Sequence, residues 1–172
     1  LTDNTGSVLI FEKDKCTAKV GDKVKIMAII KANAYGHGDI EVAEALKDEV
    51  DAYGVAIIEE ALKLRKAGVA KMILILGHTG KIWYEDLIKN DISQAVYSYE
   101  MAKILSEEAM RLGKKAKIHI KVDTGMGRIG FQPVKDNIEV IYAISRLPGI
   151  EIEGIFTHFA RADEVSTEWT KE

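Results

Sequence analysis

Short apolar runs alternate with amphipathic runs over most of the chain. Residues 25–31 (Lys-Ile-Met-Ala-Ile-Ile-Lys) are apolar and β-branched, which predicts a buried strand. Asp39 is placed to cap a helix running to Glu49, with Ile40, Ala43 and Leu46 on one face. Apolar runs at 52–57, 72–76, 93–97, 115–123 and 150–159 predict five further strands. Helical spacing fills the gaps at 59–67, 83–89, 100–111 and 134–146. Gly68 and Gly113 stop two of these helices, and Pro133 enters the last. Residues 8–20 also admit a helix, although Gly6 and the charged run Glu12-Lys13-Asp14-Lys15 weaken it.

Strands that alternate with helices imply a parallel sheet with right-handed crossovers, an α/β fold. The strands are apolar on both faces, as strands covered by helices must be. Two architectures satisfy this pattern: an open doubly wound sheet, or a closed (β/α) barrel of eight strands and about 250 residues. On periodicity and length, 172 residues favour the open sheet.

Composition narrows the partners. Lys+Arg is 24 and Asp+Glu is 27, a net charge of −3, which disfavours a general nucleic-acid or anionic-membrane surface. No apolar run approaches the roughly 20 residues of a membrane helix. No signal peptide opens the chain, and Cys16 has no second cysteine to pair with. The expectation is a soluble, cytoplasmic protein with no metal site.

Parallel α/β folds place ligands at the carboxyl ends of their strands. The first strand ends in Lys31-Ala32-Asn33-Ala34-Tyr35-Gly36-His37-Gly38. Desolvation lowers the pKa of a lysine closing an apolar strand, the condition for an amine that forms a Schiff base. The competing reading is a stem that snorkels into water. The Gly36-His37-Gly38 loop before a helix suits a phosphate, and Tyr35 could add a hydroxyl donor. In the fifth strand Lys117, His119, Lys121 and Asp123 share one face and Ile118, Ile120 and Val122 the other. That polar row fits a barrel lumen or an edge strand facing water. The loop beyond it, Thr124 to Phe131, holds three glycines around Arg128. The sixth strand ends at His158, which either stacks on a planar ligand or is a hydrogen-bonded core histidine. Lys31, Lys121, Arg128 and His158 come from three strands and would converge on one rim.

Three segments resemble the alanine racemases, fold-type III pyridoxal phosphate enzymes. They are Lys31 to Gly38; Lys121-Val122-Asp123-Thr124-Gly125-Met126-Gly127-Arg128-Ile129-Gly130; and Gly154 to Ala160 followed by Ala162-Asp163-Glu164. They occur in the family's order, and the resemblance covers roughly residues 24–164.

The resemblance implies a (β/α)8 TIM-type barrel, of which this chain holds about six strands. Residues 1–172 would be an incomplete N-terminal pyridoxal 5'-phosphate domain, with a β-rich domain beyond. Lys31 would carry the cofactor and act as one of two Cα bases. Tyr35 would bond the cofactor phosphate, and Arg128 its phenolic oxygen and the substrate carboxylate. His158 would stack near the pyridine ring, and the Met126 amide would face the substrate. Lys121 matches a position often carbamylated in the family. The implied activity interconverts L- and D-alanine for bacterial peptidoglycan in a cytoplasmic homodimer. The second base, a tyrosine, would come from the partner subunit, so the 172-residue chain alone is expected to be inactive. A racemase for serine or another small amino acid, and a non-catalytic pyridoxal phosphate carrier, are the alternatives.

Overall fold

The structure, a computed structural model, describes residues 9–11 and 25–161. A short strand, β1 (Leu9–Phe11), pairs antiparallel with β2 (Lys25–Ile29). The backbone of Leu9–Phe11 is therefore extended, which corrects the helix admitted over 8–20; the rest of that stretch lies outside the described residues. After β2 comes a single helical turn, α1 (Lys31–Tyr35), and then α2 (Asp39–Ala45). Strand and helix then alternate: β3 (Ala52–Val55), α3 (Ile58–Lys66), β4 (Met72–Ile75), α4 (Tyr84–Lys89), β5 (Ser93–Val96) and α5 (Tyr99–Arg111). The series ends with β6 (Ala116–Lys121), α6 (Lys135–Ser145) and β7 (Ile150–Phe156).

β2 to β7 are parallel, and they neighbour one another in sequence order. A doubly wound sheet reverses direction midway and carries helices on both faces. This one never reverses. In a flat sheet, five steps of about 4.8 Å would hold β2 and β7 about 24 Å apart. Instead, residues from the ends of both strands line one cleft. The sheet is curled, and the open sheet expected from chain length is replaced by an arc of a (β/α) barrel. The physical reason lies in the uniform winding: every helix returns on the same face, so the other face must close on itself.

The two faces are chemically distinct. Ile73, Ile75, Val96, Ile118 and Ile120 pack outward against Leu64, Leu87, Leu105 and Ile144 from the helices. Fully burying each such side chain contributes about 1.5–3 kcal/mol. The inner face carries a smaller cluster of Met27, Ala52, Leu74, Ala95 and Phe156. α5 shows how the helices are set. Ser98 Oγ accepts the Met101 N–H at 3.2 Å, and Met101, Ala102, Leu105 and Ala109 form its buried stripe.

The inner face also settles the polar row. β6 lies between β5 and β7, so it is no edge strand. Ile118 and Ile120 meet the helices, while His119 and Lys121 are buried on the opposite, inner side. A β-bulge between Ile118 and His119 shifts the register with β7 and brings Glu153 to the His119 imidazole at 3.5 Å. Ser93 Oγ donates to the same carboxylate.

Candidate active site

β2 ends at Ile29, two residues earlier than the sequence pattern predicts, and Lys31 opens α1 instead of closing the strand. Ala32, Asn33, Ala34 and Tyr35 all adopt left-handed backbone with φ of 51° to 54°. For L-residues this costs roughly 1–2 kcal/mol each. The turn is held by its own backbone: Ala34 N–H donates to Ile30 O at 2.9 Å and Gly38 N–H to Asn33 O at 3.0 Å. His37 Nδ1 lies 2.9 Å from Ala34 O. Asn33 Oδ1 accepts the Asp39 N–H, and Lys63 Nζ meets the buried Asp39 carboxylate at 2.6 Å. Gly36 and Gly38 take positive φ of 92° and 91° and return the chain to α2.

Lys121 closes β6 inside the arc and is 3% exposed. Its ammonium donates to Val122 O at 2.8 Å and lies 5.2 Å from the Phe156 ring centroid. Burial pushes its pKa down; Asp123 opposes that shift and Arg128 adds to it. The loop from Asp123 to Phe131 folds around the Asp123 carboxylate. Asp123 Oδ1 accepts the N–H groups of Gly125 and Gly127, both at 3.0 Å. The Gly127 bond leads in holding Asp123 below the usual carboxylate range. Phe131 N–H returns to Lys121 O at 2.8 Å and closes the loop, leaving Arg128 exposed. Thr157 Oγ1 bonds Val122 O at 2.9 Å and Thr124 Oγ1 at 2.8 Å, tying the ends of β6 and β7 together.

Lys31, Tyr35, Lys121, Arg128 and His158 all line one cleft at the carboxyl ends of the strands, with Ile29, Leu76, Ile129, Phe156 and Thr157. Lys31 Nζ lies 6.0 Å from the Tyr35 ring centroid. Among the described residues, no carboxylate lines the cleft. The electrostatic result is visible at His158. Burial lowers its pKa first, and the charges of Arg128, Lys121 and Lys31 lower it further. Three cations facing a half-buried cleft favour an anionic ligand, and a phosphate, a phenolate and a carboxylate each answer that description. The residues therefore fit a pyridoxal phosphate group: an amine for the aldehyde, cations for the anions and a ring for stacking.

A match to a family model decides the lineage: the alanine racemase N-terminal domain, over residues 14–172. The chain belongs to this family. An alanine racemase of Clostridium perfringens strain SM101 is 50% identical over 154 residues, which is 89% of this chain and 40% of that protein. The solved alanine racemase of Clostridium difficile 630 superposes with a TM-score of 0.84 at 49% identity, covering 86% of this chain and 39% of that one. A solved histidine racemase from Leuconostoc mesenteroides subsp. sake reaches a TM-score of 0.79 at 32% identity, covering 84% and 39%. The chain thus spans about two fifths of the length of the curated alanine racemases it matches.

The structure leaves Met126 outside the cleft lining, 38% exposed, with its amide turned to Asp123. His78 pairs with the Tyr97 hydroxyl at 2.8 Å on the same end of the arc. The left-handed backbone and the anchoring role of Asp123 escaped the sequence reading. Asn33 and the paired glycines were the available signals for the first, and Asp123 with Gly125 and Gly127 for the second. Among the described residues no group of three or more His, Cys, Asp or Glu could hold a metal, and no helix is long and apolar enough to cross a membrane.

Proposed function

We propose that the protein carrying this segment is a pyridoxal 5'-phosphate-dependent alanine racemase, and that residues 1–172 form part of its N-terminal barrel domain. The convergence of Lys31, Tyr35, Lys121, Arg128 and His158 on one cleft carries the reading. The likeness to alanine racemases at 49–50% identity supports it.

Lys31 Nζ holds the cofactor covalently and serves as the base on one face of the substrate Cα. The Tyr35 hydroxyl donates to the phosphate. The Arg128 guanidinium would serve the phenolic oxygen and the substrate carboxylate, and His158 would support the ring. Bound there, the cofactor supplies an electron sink for the pair left when the Cα proton departs. Racemisation removes a proton on one face and delivers one on the other, so it needs a second base. In this reading that base is a tyrosine of a C-terminal domain contributed by the partner subunit of a homodimer. The low pKa of buried Lys121 leaves more of its amine neutral and able to take up carbon dioxide as a carbamate, whose charge would then orient Arg128. The product, D-alanine, is made in the cytoplasm and supplies cell-wall peptidoglycan.

The test is turnover of L-alanine to D-alanine by the full-length protein with pyridoxal phosphate. We expect turnover that Lys31→Ala abolishes together with the Schiff-base absorbance. The 172-residue chain is expected to racemise little. Absence of turnover in the full-length protein would refute the proposal. A second reading, a racemase for a different amino acid, draws on the histidine racemase that shares this part of the fold. Parallel rates on L-alanine, L-serine and L-histidine decide between them.

A further inference from the structure

Glu60 is not among the residues that line the cleft, yet its carboxylate ends on the backbone beside Lys31. Oε1 accepts the Ala32 N–H at 2.6 Å, across 28 residues of sequence. Oε2 accepts the Ala56 N–H at 2.7 Å and the Ile57 N–H at 3.4 Å. One side chain from the first turn of α3 therefore ties the end of β2 to the end of β3. A glutamate at this helix position commonly reaches back to the N-cap amide alone. Here it bridges to a second strand.

The bridge falls where it governs a direction. Ile30 N–H is fixed to Gly54 O at 2.9 Å, and Ala32 N–H is fixed to Glu60. Lys31 lies between these two clamps, and Ala32 begins the left-handed backbone. Without Glu60 the residue after Lys31 loses a charged acceptor at the point where the conformation is least favoured by its own sterics. The Lys31–Ala32 peptide would then be free to rotate, and the Lys31 backbone would lose one of the two restraints that fix where its side chain starts. One helical turn further on, Lys63 grips Asp39 at the far end of the same segment. α3 thus brackets the segment from both sides.

We propose that Glu60 is a positioning residue for Lys31, holding the left-handed turn so that Nζ is aimed into the cleft. The inference rests on the reading of Lys31 as the cofactor lysine.

The experiment uses the full-length protein stripped of cofactor and then mixed with pyridoxal phosphate. The rate at which Lys31 captures it is read from Schiff-base absorbance and from the borohydride-fixed adduct on the Lys31 peptide. Arg65→Met is the comparison. Arg65 lies on the same helix but bonds the carbonyls of Val69, Lys71, Asn90 and Asp91, away from Lys31, so its loss destabilises without touching the turn. Glu60→Ala should slow capture about tenfold, the loss of one hydrogen bond to a charged group. Arg65→Met should capture at the wild-type rate. Glu60→Gln keeps one acceptor oxygen for two strands and should fall between; it also serves if Glu60→Ala does not fold. In steady state, kcat should fall more than KM rises. Wild-type capture by the Glu60 variants, or equal slowing by Arg65→Met at a matched loss of melting temperature, would overturn the proposal. No adduct on Lys31 in the wild-type protein would overturn the cofactor reading and this inference with it.

Discussion

Lys121 carries a charge into a place that resists it. It is almost fully buried, with one carbonyl and one aromatic ring as its near contacts. Its pKa in the folded chain lies below the ordinary 10.5. Between the lowered value and 10.5 the unfolded chain binds more protons than the folded one, so stability rises with pH across that interval. Lys121→Met removes this dependence. In denaturant melts of the cofactor-free protein, the variant should be the more stable at neutral pH, with the difference shrinking as pH approaches 10.5. A constant difference across that range would show that burial is not what moves the amine. In the proposed reading Lys121 carries a carbamate, and intact mass under gentle conditions tests for it.

At the element scale, helices are set against strands by a few close contacts. The Ser98 cap of α5 is worth about 1 kcal/mol, and Ser98→Ala should lower stability by that amount. The turn before β7 is tighter. Gly149 N–H donates to Ser106 Oγ at 2.9 Å, and a Cβ on Gly149 would lie 2.2 Å from Ser106 O. That neighbour is helix backbone, which cannot swing aside. Gly149→Ala should therefore cost about 3 kcal/mol, the upper part of the overpacking range, and more than Ser98→Ala. Equal melting temperatures for the two variants would contradict this packing. The element that positions Lys31 obeys a different logic: its backbone is locally unfavourable, and contacts from α3 maintain it.

For the whole molecule, the uniform winding that curls the sheet leaves β7 paired on one side only among the described strands. Ile152 and Ile155 on β7 and Ile138 and Tyr142 on α6 are exposed there. In the proposed full-length barrel a further βα unit covers this edge. Hydrogen exchange tests it: β7 amides not bonded to β6 should exchange quickly in the 172-residue chain and become protected in the full-length protein. Equal exchange in both would argue against closure at this edge.

The alternation of runs along the chain was sufficient to place β2 to β7 and the helices between them, because each depends on near neighbours and on burial of one face. The Lys31, Arg128 and His158 segments were likewise legible, since strand ends and glycine loops are local features. Whether the sheet opens or closes was not legible in the periodicity, and only the resemblance of the three motif segments implied the barrel. That depends on strand order, a relation among distant residues, and the length of the chain pointed the other way. The left-handed turn was hidden for a related reason: Ala32 and Ala34 have no intrinsic preference for it, and Glu60, which holds it, is 28 residues away. Sequence by itself determined which residues could do the chemistry and that they belong to strand ends; the tertiary structure decided that those ends share one cleft, because only a curled sheet brings the carboxyl ends of β2 and β7 to the same cavity.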